Sequence, residues 1–383
     1  MMRYRLVITF TLVLAGNLVL GADNPAAIRS ALQRAGSNRL QIQAALDRSP
    51  ADQKEGMQFL VTHMPDQDLK TLTAEFLLEN VQLAYQAREE SAWKAKIPHD
   101  IFLNNVLPYA TINEKRERWR KDFHDRFRPL VKDVPSPGLA AAKLNQNMFK
   151  MTNVKYSTKR AKADQSPSES MESGLASCTG LSVMLVDACR SVGIPARFVG
   201  TPLWTNKSGN HSWVEIWDDG WHFTGACEAT GDSLDRGWFA GRAATAKRDE
   251  LIHAIYAVSY KRTPQFFPMV WAANNRSVHA VNVTDRYTRK QEPLPEGVVI
   301  VMLRAVAKST GDRGIATVKV TDKGGQVIFE GKTKDERFDA NDHVELRLHL
   351  GEQYHVAFGT KTRSAKQSFT VNTADQLITL PLP

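Results

Sequence analysis

The chain has 383 residues, 42% of them hydrophobic, which is room for two or three cored domains and too apolar for a disordered protein. Its net charge of +9 is scattered apart from one cluster, Lys115–Arg128. Glu117, Asp122 and Asp125 are interleaved there, so the cluster reads as a solvated helix face; no nucleic-acid motif is present, and nucleic acid is excluded as a partner. A cell-surface or wall polymer with acidic groups remains a candidate partner on charge alone.

The N-terminus reads as a secretory signal over residues 1–22. Arg3 and Arg5 precede the apolar run Leu6–Val13, and Gly21-Ala22 supply small residues for cleavage. A secreted or periplasmic protein is the expectation.

Residues 23–138 are predicted to be a helical region. Pro25–Ala35, Leu40–Leu46 and Gln53–His63 are short apolar-periodic segments, bounded by Gly36, Ser49-Pro50 and Met64-Pro65. Leu69–Ala92 reads as one long helix with Asp68 as its cap. Helix resumes from Ile101, breaks at Leu107-Pro108-Tyr109 and stops at Pro129. After the turn Pro135–Gly138, Leu139–Lys150 is a further helix. Lys159–Ser173 is polar and reads as an exposed loop that could gate access to a cleft.

The most informative stretch is Ser177–Gly200. Cys178 is followed by small residues, and Leu181, Met184, Leu185, Ala188 and Val192 recur at helical spacing. Gly193 supplies a left-handed helix end and Pro195 blocks continuation. Cys178 therefore heads a buried helix, where unpaired N–H groups and the helix dipole stabilise a thiolate nucleophile. Asn210–Trp217 then alternates like a strand with His211 at its start. Asp218-Asp219-Gly220 turns, and Trp221–Thr224 returns as the second strand of a hairpin.

Cys178 heading a helix, Gly193-Ile194-Pro195-Ala196-Arg197, His211-Ser212-Trp213-Val214-Glu215 and Gly220-Trp221 together resemble the transglutaminase-like superfamily over residues 140–260. The resemblance implies a papain-like cysteine fold, with a catalytic core at 139–290. It also implies acyl transfer on amides through a thioester. Val154-Lys155-Tyr156 is similar to the segment that precedes the nucleophile in that family. One departure stands out: the family places an Asp after the returning strand, and here the chain reads Gly225-Ala226-Cys227-Glu228. This form resembles a bacterial secreted subgroup. Glu228 is the nearest carboxylate to orient His211, with Asp232 behind it; such a third group fixes the base's tautomer. The oxyanion hole would use the Cys178 N–H and one upstream donor, for which Gln165, Tyr156, Asn145 and Gln146 are candidates.

Trp204, Trp213 and Trp238 are candidates to line the substrate cleft, although Trp in such strands as often packs the core. Glu215 is predicted to pair with Arg197, and His222 to lie at the surface or behind the site. No His/Cys/Asp cluster has zinc spacing, and neither metal nor cofactor is expected. Three cysteines are an odd count. Either Cys189 and Cys227 bridge and leave Cys178 free, or both stay reduced as small buried residues.

Leu251–Tyr260 reads as a buried strand, and Phe266–Ala273 continues the apolar packing. From Pro295 the pattern changes to seven short strands: Val298–Ala307, Ile315–Val320, Gly325–Glu330, His343–His349, Gln353–Phe358, Ser368–Val371 and Gln376–Leu382. Residues 295–383 are thus predicted to form a β-sandwich of immunoglobulin or transthyretin-like type, serving as a packing or spacing module. The whole is an α+β chain. Its expected function is cysteine-dependent hydrolysis of peptide or side-chain amides, ahead of cross-linking by transamidation. The competing reading, supported by Gly225, is an inactive fold kept as a protein- or glycan-binding module. The sequence gives no oligomeric state.

Overall fold

The computed structural model describes residues 25–289, 294–360 and 362–382; the predicted signal segment lies outside them. Five helices open the chain: α1 (Pro25–Arg34), α2 (Arg39–Arg48), α3 (Lys54–His63), α4 (Asp66–Thr71) and α5 (Ala74–Glu90). The long helix expected over Leu69–Ala92 is in fact two. Leu72 is extended, and Thr73 caps α5 by accepting from the Phe76 N–H. Asp68 is no cap: it is buried in α4, where it accepts from the Tyr109 hydroxyl and the Arg116 guanidinium. A buried carboxylate needs such partners.

Two more helices, α6 (His99–Asn105) and α7 (Trp119–Val131), flank an irregular segment. Pro129 does not stop α7 but sits in its last turn. The basic cluster divides by face. Lys121 and Arg126 pair with Asp125 and Asp122 outside. Arg120 is buried and donates to the carbonyls of Val106, Leu107 and Pro108, in the irregular segment, and to that of Arg190 near the end of a later helix, satisfying carbonyls that would otherwise lack a partner.

The central α+β core follows: α8 (Pro137–Met151), β1 (Lys155–Tyr156), α9 (Pro167–Ser173), β2 (Leu175–Ala176), α10 (Cys178–Ser191), β3 (Ala196–Thr201), β4 (His211–Trp217), β5 (Trp221–Thr224), α11 (Ala240–Ala244), β6 (Tyr256–Ser259), β7 (Gln265–Phe266), β8 (His279–Asn282) and α12 (Thr284–Thr288). Six strands form an antiparallel sheet in the order β5-β4-β3-β6-β8-β7. The strand expected over Leu251–Tyr260 is confined to its second half. The polar stretch Lys159–Ser173 is no plain loop. Its end is α9, started by a Ser166–Glu169 capping box with Pro167 at the first turn, and Gln165, Ser166 and Ser170 are buried.

α10 is the central helix. It packs on β3 and β4 with α5, α7 and α8 on its other sides, and every residue from Thr179 to Ser191 is buried. Each large apolar side chain so buried contributes about 1.5–3 kcal/mol. Gly193 ends the helix region at φ +80°; a Cβ there would meet the Ala87 carbonyl oxygen at 2.5 Å.

The C-terminal part is a two-sheet sandwich of seven strands among the described residues: β9 (Val298–Ala307), β10 (Thr317–Thr321), β11 (Val327–Lys332), β12 (Val344–His349), β13 (Gln353–Gly359), β14 (Ser364–Thr370) and β15 (Gln376–Leu382). One sheet runs β11-β10-β13-β14 and the other β12-β9-β15. Alternation such as Val318, Val320 inward and Thr317, Lys319 outward fills its separate core. The chain is α+β. No helix among the described residues is long and apolar enough to cross a membrane.

Candidate active site

Cys178 is the first residue of α10. Ser177 caps the helix by accepting from the Gly180 N–H at 3.1 Å, and its own hydroxyl donates to the Ala163 carbonyl at 2.8 Å. This fixes the direction in which Cys178 leaves the helix. The next residue, Thr179, shares a buried hydrogen bond with Ser212 (Oγ1 to Oγ, 3.2 Å), stitching the first turn of α10 to the start of β4. His211 opens that strand, paired with Thr201 of β3. The thiol and imidazole, together with Asp339, have ligand-type atoms all within 4.8 Å of one another. Cys178 is partly exposed, whereas the imidazole is almost fully buried.

Asp339 was not a candidate in the sequence. It lies in the sandwich, in the loop before β12, and its Oδ2 is 3.4 Å from His211 Nδ1, an ion-pair contact in which neither ring nitrogen makes a hydrogen bond. Burial by itself would lower the imidazole pKa; the Asp339 carboxylate and the Cys178 sulfur outweigh this and hold it well above its ordinary value. Burial likewise works against the Asp339 carboxylate, but His211 and the hydrogen bonds from Asn341 prevail and hold its pKa below the usual range. Both shifts favour a charged pair.

Glu228, the carboxylate predicted to orient the base, is buried beside the site but is not the one against Nδ1. Its Oε2 has no hydrogen-bond partner and lies 2.1 Å from where a Cβ on Gly225 would be. Burial pushes its carboxyl up to about 7, against the pull of His211. Glu228 thus fills the space that a side chain at position 225 would enter. Asp232 is remote from the ring, bound to Lys143 and Gln146.

The three tryptophans divide. Trp213 is fully buried; its indole N–H donates to the Tyr287 hydroxyl at 2.8 Å, and its ring stacks on Trp204. Trp204, 2% exposed, stacks on His211 at 6.0 Å. Both wall in the imidazole, as core aromatics do. Trp238 is half-buried with its ring 4.8 Å from His211, and of the three it alone could meet a ligand there. Trp204 also lines a cavity of about 1120 Å³ between core and sandwich, which Arg242, Arg286, Glu345 and Arg347 help to enclose. Neither Cys178 nor His211 lines it.

Among the upstream donor candidates, Asn145 is committed to Thr224, Gly225 and the Cys227 N–H. Gln146 donates to Gly231 and Asp232, and the Gln165 amide to Glu169, Ser173 and Leu175. Tyr156 differs. Its hydroxyl oxygen accepts from the Ala340 N–H at 2.9 Å; burial, with Asp339 and Cys178 adding to it, raises its pKa, so it keeps its proton.

Arg197 and Glu215 pair as expected, Nε to Oε2 at 2.7 Å, and His222 is an outer residue bound to Asp235 at 2.6 Å. All three cysteines are free. Cys189 is sealed in α10, where burial raises its thiol pKa, and burial pushes Cys227 up to about 11. A thiol, an imidazole and a carboxylate are also metal-ligand types, and Cys178, His211 and Asp339 are the cluster of that kind found among the described residues. Sequence spacing offers no such cluster, because Asp339 joins it from the sandwich.

Residues 128–226 match the family model described as the Transglutaminase-like superfamily, which bears out the resemblance over that segment. No curated protein matches the chain. A solved structure from Cytophaga hutchinsonii, provisionally described as a cysteine protease, aligns at 14% identity and TM-score 0.29, over 52% of this chain and 60% of its own. Red sea bream transglutaminase aligns at 10% identity and TM-score 0.31, over 74% of this chain and 66% of its own. The chain therefore spans less than two thirds of the first of these, and likeness at such scores says nothing about activity.

Proposed function

We propose that the protein is a cysteine-dependent acyl-transfer enzyme acting on peptide or side-chain amides, with hydrolysis ahead of cross-linking. The observation that carries this is a partly exposed thiol at the first turn of a buried helix, in reach of an imidazole whose protonated form is favoured. The Cys178 thiolate attacks the amide carbonyl carbon, and the oxyanion that forms is met by the Cys178 N–H and the Tyr156 hydroxyl. His211, as imidazolium, gives its proton to the amine as the C–N bond breaks and the thioester forms. Water then adds to the thioester as His211 takes one of its protons, and the C–S bond breaks to release a carboxylic acid and restore the thiolate–imidazolium pair. Hydrolysis is preferred because it needs no second amine-binding site.

The test is incubation of the wild type and Cys178→Ala with a mixed peptide library, with and without a primary amine, read by mass spectrometry. Shortened or deamidated products that vanish in Cys178→Ala support hydrolysis. Amine adducts would shift the reading to transamidation. Inactivity of the wild type on every peptide, with Cys178 no more reactive than a free thiol, would leave the binding-module reading.

A further inference from the structure

The core on its own leaves its base without a carboxylate against Nδ1. Gly225 stands where such a side chain would start, and Glu228 fills that space from the side with Oε2 unpartnered. The group that does reach Nδ1 comes from the other domain. We propose that the C-terminal β-sandwich completes the catalytic site by supplying Asp339 as the positioning residue for His211. This rests on Cys178 and His211 being the reactive pair, and it goes against the expectation that the sandwich is only a spacer.

The loop is built to hold this carboxylate in place. Asp339 Oδ1 accepts from the Asn341 N–H at 2.9 Å and from the Asn341 side-chain amide at 3.3 Å. That same amide donates to the Asn210 carbonyl at 3.2 Å, one residue before His211. Gly209, at φ +138°, lets the chain pass there: a Cβ would lie 3.1 Å from the Asn341 amide oxygen. From behind, the buried Arg313 guanidinium donates to the carbonyls of Phe338, Asp339 and Asp342 at 2.6, 2.9 and 3.3 Å. On the other flank the Ala340 N–H holds the Tyr156 hydroxyl. One loop of the sandwich therefore touches both the base and the proposed oxyanion donor. Asp339 is 3% exposed and His211 1%, so the contact is sealed from water and weakly screened. The other ionisable groups that act on the base or on its two carboxyls are Cys178 from α10, Glu228 after β5, Tyr156 on β1, and Asp342 and His343 in the sandwich, the last with its pKa lowered by burial to about 4.

The consequence is conditional chemistry: the thiolate–imidazolium pair forms only while the sandwich is docked. The test uses the full chain and the pH dependence of Cys178 alkylation by iodoacetamide, which reads the thiolate and needs no known substrate. In the wild type, alkylation persists on the acid side of an ordinary thiol's range. In Asp339→Asn, which keeps the shape and removes the charge, burial of His211 loses its largest opponent and only the Cys178 contact still favours the imidazolium. The acid limb should move up by at least about one pH unit, a loss of about tenfold at pH ~6, with little change near pH ~9. Glu228→Gln should keep the limb. Asn341→Ala, which frees the carboxylate without removing it, should give a partial shift and decides the matter should Asp339→Asn not fold. An unmoved limb in both sandwich variants, or one lost in Glu228→Gln alone, overturns the proposal. Absence of any acid limb in the wild type would instead refute the catalytic reading itself.

Discussion

At the scale of single residues, the site separates two buried carboxyls by environment. Asp339 is held ionised by the imidazole and Asn341; Glu228 has burial against it and titrates at about 7. Environments that push like groups apart assign them different roles. For Glu228 the linkage has a definite sign. Its folded pKa is above the unfolded one, so its contribution to stability is fully present below pH ~4.3 and is lost as pH rises through about 7. The loss is on the order of 3 kcal/mol. Glu228→Gln cannot ionise; in chemical denaturation it should match the wild type near pH 4 and be the more stable at pH 8. An equal offset at both pH values would contradict this. Cys178 and His211 could be read from the sequence because each sits in a local pattern: a helix start, a strand start. Asp339 could not. The chain there reads as a turn, and the contact that gives it a role is made across domains, which no periodicity encodes.

At the scale of elements, α10 holds the proposed nucleophile in place because both of its ends are fixed. The Ser177 cap and the Thr179–Ser212 bond set the first turn, and Gly193 sets the exit. The Trp93 indole also donates to the Gly193 carbonyl at 2.9 Å, tying that exit to the N-terminal helices. Gly193→Ala would put a Cβ into the Ala87 carbonyl and force an L-residue to positive φ. It should destabilise the fold by more than about 1 kcal/mol, read as a fall in the urea midpoint at unchanged slope; an unchanged midpoint would show that α10 does not depend on this turn. The helix itself was legible from its apolar spacing and its Gly-Ile-Pro exit. Two other elements were misread although their signals were present. Ser166-Pro167-Ser168-Glu169 is a capping box that opens α9 inside an apparently featureless polar run. Thr73 is a cap that divides the expected long helix. Local polarity masked the first, and a continuous apolar stripe masked the second.

At the scale of the molecule, seven strands of the sandwich follow from period-two alternation and turn residues, but their docking on the core does not. That docking has a second anchor away from the thiol: Arg242 Nε donates to Glu345 Oε1 at 2.8 Å, with the Arg242 side chain 6% exposed. Glu345→Arg would set two guanidinium groups against each other, and a buried charge without its partner is costly. Amide exchange should then rise together in residues 209–213 of the core and 338–342 of the sandwich, although Glu345 touches neither His211 nor Asp339. Faster exchange confined to the neighbourhood of residue 345 would show that the two parts do not dock as one unit.

The central claim is that Cys178 is the activated thiol of this chain and His211 its base. The chain carries three free thiols, so each serves as a control for the others. Peptide mapping after brief iodoacetamide treatment at pH ~6, where an ordinary thiol is almost wholly protonated, should find the label on Cys178 and not on Cys189 or Cys227. The rate should drop at least about tenfold in His211→Ala. Label appearing equally on Cys227, or a Cys178 rate unaffected by His211→Ala, would contradict the account.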